Sequence, residues 1–494
     1  MSNPNTLIRR GIGASRSRPA ALVLAVVCVA QFMVVLDISI VNVALPNMQH
    51  DLHMSQNGLA WVLNAYTLAF AGFLLLGGRA ADIWGRRRLF LIGVVLFAIT
   101  SLIGGLAQSG SELIVARGLQ GLGGAVLSPA TLTILTTTFA EPKARARALG
   151  MWSAVAGAGG ATGVLAGGVL TDLLSWRWIL FINVPIGLLV FLVARVAVTE
   201  SHAEGERPTL DWGGALTVTG GLVALVYGIV STDTHAWGSP SVISYLAVGS
   251  VLIGMFVVIE SKHRHPLVPL RLFRSRALTG ANLIMVLIGS VTFSLFFFLT
   301  QYLQEIEGYS PLRTGLAFLP MPLAIIVGTQ LSSRLVQRLG TRPLLVIGPL
   351  IAASGLLLLS RIQAHTSYLH IGLPGAIITF GIGISFVPVT LAATGGVDPR
   401  DAGLASGLIN TTRQIGGSLG LAALLTIAAA RTHALAGSGT AISETAGYAR
   451  AFEISAAFLM VAAVIAATIL PAIVRPSRIQ APTDEPAMEP ACKG

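Results

Sequence analysis

At 494 residues, 54% of them hydrophobic and only 11% charged, the chain carries too little polar surface for a set of soluble domains and has the balance of a polytopic membrane protein. The formal net charge of +11 is not a nucleic-acid footprint, because the basic residues come in short clusters between apolar runs and make no continuous basic face. Two cysteines, Cys28 and Cys492, exclude a disulfide framework and any paired-cysteine metal or redox site.

The basic segment 1–19 precedes an apolar run from Ala20 to Leu45. That run is too long for the core of a cleaved signal and is expected to remain as a first span. Apolar stretches of about 20 residues, the length a helix needs to cross a hydrocarbon core, begin near Ala20, Gly58, Leu89, Leu113, Ala146, Trp178, Trp212, Val242, Ala277, Leu312, Leu344, Ile371, Ala402 and Phe452. Fourteen spans put both ends of the chain on one side. In that register 25 of the 32 Lys and Arg residues fall on the side of the termini and five, Arg177, Arg313, Arg361, Arg431 and Arg450, on the other. Only Arg117 and Arg413 fall inside spans. Cytoplasmic loops are enriched in basic residues, so both termini are expected in the cytoplasm of a multi-pass protein of the cell membrane. The segment 476–494, rich in Pro and acids, reads as disordered.

Within the first span, LDISIVNVALP (Leu36 to Pro46) sets a carboxylate, Asp37, at a depth where a charge costs roughly 2.5 to 3.5 kcal/mol and must face protein or a wet cavity. Nearly all the other acids fall in loops, tails or the first or last turn of a span, and Asp37 is the only deep carboxylate. Asp37 is therefore either a functional group or a structural acid tied to one basic partner. That partner is expected to be Arg117 in LIVARGLQGLGGA, since the two lie roughly 13 and 9 Å below the same surface at 1.5 Å per residue. Gln31, Asn42 and Gln120 are polar neighbours in the same spans. A carboxylate moved between dry and wet surroundings, or on and off a cation, changes its proton affinity, and this is what proton coupling needs. One proton crossing about 150 mV contributes roughly 3.5 kcal/mol, enough for a substrate gradient of a few hundredfold. No GxxxxGK[ST] segment occurs, so a built-in nucleotide motor is not expected.

Next in the chain, GRAADIWGRRRL (Gly78 to Leu89) holds Gly78, Asp82, Gly85, Arg86 and Arg87 in a connection too short to wander. The arginines serve as a topological anchor. Asp82 is the residue an anchor does not require; it can cap a helix or pair with an arginine in one conformation and release it in another. The fifth span, GMWSAVAGAGGATGVLAGG, carries Gly150, Gly159, Gly163, Gly167 and Gly168, so a hinge or a close helix contact is expected there.

Pro142, Gly150, Gly159, Gly160 and Gly163 recur 257 residues later as Pro399, Gly407, Gly416, Gly417 and Gly420. Asp82, Gly85, Arg87 and Leu89 have a fainter echo in Gln337, Gly340, Arg342 and Leu344. The expected fold is all-α, with two pseudo-symmetric six-helix bundles at 20–200 and 266–475 and a linker at 201–265 that carries an inserted two-helix hairpin. Repeats meeting at a central cavity suit binding near the midplane and alternating access. Generic tight packing of small residues is the competing account of the glycine spacing.

Arg413 in NTTRQIGG has no acid near it in the second half and is expected either at a cavity with Asn410 or snorkelling to an interface. Phe293 and Phe297 can line a drug pocket or simply pack. His263 and His265 alone are weak evidence for a metal, and no metal site is expected.

In these segments the chain resembles the fourteen-helix drug:proton antiporters of the major facilitator superfamily, over almost all of its length. LDISIVNVALP is similar to the family's first-helix signature, GRAADIWGRRRL to its loop motif and the Arg117 segment to its fourth-helix motif. Gly150 to Gly168 resembles the antiporter motif, and WRWILFINVPIG (Trp176 to Gly187) and LDW at Leu210 also match. The resemblance implies proton coupling at Asp37 and Arg117, a conformational switch at Asp82 and its arginines, and a bend at the glycines. It also implies a monomer that needs the proton gradient and no cofactor, and that exports lipophilic small molecules. The antiporter motif usually has proline where this chain has Val164, and the loop motif often has a basic residue where this chain has Ile83. Exporters of quaternary cations carry an acid where this chain has Asn64, which points to neutral or singly charged substrates in its cavity. The alternatives are nutrient import, against which the antiporter glycines argue, and a membrane enzyme or sensor. An enzyme would want clustered His or Asp, and a sensor an extra soluble domain.

Overall fold

The computed structural model describes residues 20–139, 141–202, 209–233, 235–395, 397–398 and 401–471. The expectations for segments 1–19 and 476–494, and for Pro399 of the repeat, lie outside those residues. Among the described residues there is no strand, and fourteen helices are long and apolar enough to cross a membrane, the number expected. They are α1 (Ala20–Asp51), α2 (Gln56–Trp84), α3 (Arg86–Gly105), α4 (Gly110–Thr138), α5 (Lys143–Leu173), α6 (Trp178–Ala197), α7 (Trp212–Val230), α8 (Pro240–Lys262), α9 (Arg276–Ile306), α10 (Pro311–Leu339), α11 (Thr341–Leu359), α12 (Leu369–Thr394), α13 (Ala402–Ala434) and α14 (Thr440–Ile469).

Lipid offers the backbone no hydrogen bonds, so a spanning segment must satisfy its own N–H and C=O groups, and the helix ends show how this is done. Ser55, Ser239, Ser275 and Ser310 accept from the N–H groups of Gly58, Val242, Leu278 and Arg313. Such a cap contributes about 1 kcal/mol. At α4, Ser109 accepts from Glu112 N–H while the Glu112 carboxylate accepts from Gln108 N–H.

One boundary differs markedly from the sequence expectation. The last helix begins at Thr440, not near Phe452. Apolar content marks only the part of a helix inside lipid, and the polar turns from Thr440 to Arg450 continue it outside. Arg450, assigned to a loop, therefore lies within α14 and pairs with Glu453 at 2.6 Å. Arg79, Arg195, Arg313 and Arg431 are likewise on helices for the same reason.

Helix packing repeats along the chain. α1 packs on α4, α5 and α6, α2 on α4, and α3 on α4 and α6; eight helices on, α9 packs on α12, α13 and α14, α10 on α12, and α11 on α12 and α14. The correspondence reaches single bonds. Ser39 of α1 donates to Gly159 O of α5 at 3.3 Å, and Ser290 of α9 donates to Gly416 O of α13 at 2.9 Å. Gly85 and Gly340, at the α2–α3 and α10–α11 turns, both take left-handed φ values, +104° and +81°, which only glycine adopts without strain. Contacts between the two sets run mainly through α2 on α13 and α5 on α10, while α7 and α8 pack on each other with α7 against α2 and α13.

At the bundle end away from the start of α1, the two sets are tied together. His50 meets Glu305 at 3.0 Å, Gln304 Nε2 donates to Val43 O at 2.8 Å and Gln301 Nε2 to Gln49 Oε1 at 3.2 Å. At the end where α1 begins, called here the basic end, nothing lies within 4 Å of a Cβ built on Gly150 of α5, and the same holds for Gly157 and Gly160 near the middle of that helix.

Candidate functional site

Asp37 is fully buried and Arg117 is 1% exposed. Arg117 Nη1 donates to Asp37 Oδ2 at 2.6 Å and to Gln120 Oε1 at 2.7 Å, and Gln120 Nε2 donates to Asp37 Oδ1 at 2.8 Å. Arg117 and Gln120 are one helical turn apart on α4, so a single face of that helix presents both. Asn183 of α6 adds a third donor: its Nδ2 reaches Asp37 Oδ1 at 2.8 Å and Ser101 Oγ of α3 at 3.0 Å. Ser101 in turn donates to Leu180 O at 2.8 Å. The guanidinium also lies over the Tyr66 ring of α2, 4.4 Å from its centroid. Five helices thus converge on one carboxylate, and every side chain bonded to it is a donor. Such an arrangement replaces the water an ionised carboxylate loses on burial.

Glycine spacing on α5 explains how α1 is held in place. A Cβ at Gly159 would lie 3.3 Å from Phe32 O, one at Gly163 2.8 Å from Leu36 O, and one at Gly167 2.7 Å from Ile40 O. The three glycines at intervals of four form a groove for the α1 backbone on either side of Asp37. Gly168 faces the other way, where a Cβ would lie 2.7 Å from Pro311 O of α10. Gly150 has no such neighbour, so close approach does not account for it. α5 runs unbroken through Val164.

At the α2–α3 turn Asp82 Oδ1 accepts from Arg86 Nε and Nη2 at 3.1 and 2.9 Å. The cap of α3 is another residue. Glu200 accepts from the N–H groups of Arg87 and Arg88 at 3.0 and 3.1 Å, and Arg87 Nη2 donates to Arg195 O at 2.6 Å. A Cβ at Gly78 would meet Pro129 only in ordinary contact, so close approach does not require glycine there.

The remaining expected residues do not join the Asp37 network. Gln31 Oε1 accepts from Ser128 and Thr131 at 3.3 and 3.4 Å, and Trp152 Nε1 donates to Thr131 at 3.2 Å. These form a separate polar cluster about 9 Å along α1 from Asp37 at 1.5 Å per residue. Asn42 bonds its own helix at Ile38 O, 3.1 Å away. Asn64 is fully buried with neither amide atom partnered. Phe297 does not line an opening: it is fully buried edge-on against Phe298. Phe293 is partly exposed and packs at Gly417. Asn410 is exposed, and Arg413 has an unpartnered Nε and no acidic partner among the described residues.

Sequence reasoning did not single out Asn183, Ser101, Tyr66 or Glu200. Asn183 was visible as an amide inside an apolar run, within a segment quoted only for its resemblance; the hydroxyls and Glu200 carried no signal that distinguishes them from others like them.

A model of the Major Facilitator Superfamily matches residues 27–421. The cephamycin export protein of Amycolatopsis lactamdurans is 43% identical over 466 residues, covering 93% of this chain and 94% of that protein. The puromycin resistance protein of Streptomyces alboniger is 42% identical over 453 residues, 90% of each. Among solved structures, the POT family transporter PepTSo superposes with a TM-score of 0.69 at 15% identity, covering 91% of this chain and 97% of its own. The human organic anion transporter MFSD10 does so with a TM-score of 0.60 at 16% identity, covering 91% and 99%. At those identities the solved structures speak to the fold alone.

Proposed function

This chain belongs to the Major Facilitator Superfamily, and on that premise we propose that it exports lipophilic small molecules, antibiotics or related secondary metabolites, in exchange for protons. It is a transport protein, not an enzyme. The substrate class is supported by two relatives above 40% identity, one named for cephamycin export and one for puromycin resistance.

The observation that carries the coupling is the set of donors around Asp37. With Arg117, Gln120 and Asn183 all donating to it, the geometry suits the ionised form. In our reading the protein is closed at the far end, where His50 meets Glu305, and open at the basic end, where Gly150 of α5 has no neighbour. Asp37 has then given up its proton to the basic side. Rocking of 20–200 against 266–475, with 201–265 joining them, pulls the network apart and exposes Asp37 to the far side, where it reloads. The Gly159–Gly163–Gly167 groove lets α1 and α5 shift as one unit, and Asp82–Arg86 rearranges at the basic end. Gln31, Phe293, Asn410 and Arg413 face the substrate path. The basic end is cytoplasmic, as the distribution of Lys and Arg supports. One copy holds both bundles and works as a monomer, driven by the proton gradient without a cofactor.

The test uses inside-out membrane vesicles, in which the basic end faces the medium. Labelled puromycin accumulates in the lumen when the lumen is acidified, an uncoupler abolishes the accumulation, and Asp37→Asn reduces it to the level of vesicles lacking the protein. Wild-type accumulation that survives collapse of the gradient would overturn the reading.

A further inference from the structure

Two acids of the inserted hairpin take no part in the scheme above. Asp211 immediately precedes α7 and Glu260 lies in the last turn of α8, so both sit at the basic end, and they are only 2% and 3% exposed. Each has one oxygen satisfied: Asp211 Oδ1 accepts from Gly214 N–H at 2.7 Å, and Glu260 Oε2 from Val268 N–H at 3.1 Å. The other two oxygens, Asp211 Oδ2 and Glu260 Oε1, are buried without a partner. They converge. A Cβ built on Gly214 would lie 2.7 Å from the first and 3.0 Å from the second, so the two oxygens border the same space left by this glycine and are no farther apart than the sum of those distances.

Two ionised carboxylates this close and out of water repel strongly, and an unmet buried oxygen is costly in its own right. The cation whose charge reaches both is Arg79 of α2. Its guanidinium, however, donates to the backbone carbonyls of His265 and Pro266, not to either acid. The other titratable group facing Glu260 is His263 of the linker, whose Nδ1 accepts from His265 N–H at 3.2 Å. Neither supplies a hydrogen bond to the free oxygens. One proton can: carried on either carboxyl, it donates to the free oxygen of the other as the two side chains close across that space, and satisfies both with a single atom.

We propose that Asp211 and Glu260 jointly hold one proton at neutral pH, forming a second proton-binding site at the joint of α2, α7, α8 and the linker, independent of Asp37. While the proton is present the pair carries a single negative charge and Arg79 stays on the linker carbonyls. Its loss adds a second charge and draws Arg79 away from the linker towards the acids. Arg79 is three residues from Asp82, so occupancy of this site is felt at the α2–α3 turn. A metal ion is the other way to join two carboxylates, but among the described residues no group of three or more His, Cys, Asp or Glu side chains surrounds such a position.

The test is infrared difference spectroscopy of the full-length protein in lipid nanodiscs, in an Asp37→Asn background that removes the carboxyl of the proposed transport site. At neutral pH the background protein shows a protonated-carboxyl absorption equivalent to one group that is absent after Glu260→Gln and also after Asp211→Asn. Both substitutions keep the acceptor for Val268 or Gly214, so each preserves the local hydrogen bonding, and either alone decides the matter should the other fail to fold. Spectra that do not change with either substitution overturn the proposal. So does loss of thermal stability on chelation without a carboxyl band, which assigns the site to a metal. Because the background already lacks Asp37, the result stands or falls separately from transport.

Discussion

Asn183 bridges Asp37 and Ser101 with one amide nitrogen, 2.8 Å from the first and 3.0 Å from the second, and so ties the first helix to the third through the sixth. Asn183→Ala removes one of three side-chain donors to a buried carboxylate. A hydrogen bond to a charged group contributes about 1.5 to 3 kcal/mol, so proton-driven transport is expected to fall roughly ten- to a hundredfold. Exchange of labelled for unlabelled substrate, which needs no net proton movement, falls less. The two assays on the same proteoliposomes check this, and equal losses would count against it.

Arg117→Lys keeps the charge but loses the geometry. One guanidinium nitrogen serves both Asp37 and Gln120 while Nε reaches Val62 O at 3.4 Å, and a lysine ammonium cannot span these positions from the same backbone. Proton-driven accumulation is expected to drop at least tenfold with the protein still folded by size-exclusion chromatography.

Gly163→Ala puts a methyl against Ser39 and Leu36 O, whereas Gly150→Ala puts one into open space. Overpacking typically costs 1 to 3 kcal/mol, while alanine at an open helical position gains about 0.5 to 1 kcal/mol over glycine. Thermal unfolding in detergent is expected to fall by several degrees for the first and to hold or rise for the second.

Glu200→Ala uncaps α3 at Arg87 and Arg88. The expected cost is about 1 kcal/mol, seen as faster amide exchange over 86–90, with partial recovery in Glu200→Gln. Asp82→Asn frees Arg86 instead and leaves that exchange unchanged.

The helices were legible because lipid imposes one requirement, twenty or so apolar residues per crossing, and the sequence meets it fourteen times. The start of α14 was not, since Thr440 to Arg450 is helical outside the apolar window. Asp37 stood out because a carboxylate in an apolar run is expensive, and Arg117 because its depth matched. The depth argument could not see Asn183, which arrives from a helix far along the chain, nor could it tell that Asn42 satisfies itself on Ile38 O. Phe297 illustrates a further limit. A run of aromatics gives no sign of which face is covered, and the structure packs this ring against Phe298.

Everything in the transport scheme rests on Asp37 as the group that carries the proton. In proteoliposomes with a pH-sensitive dye in the lumen, a puromycin gradient imposed on the wild-type protein should drive protons the opposite way. Asp37→Asn should move none while still exchanging labelled for unlabelled puromycin. Substrate-driven proton flux that persists in Asp37→Asn would contradict the account.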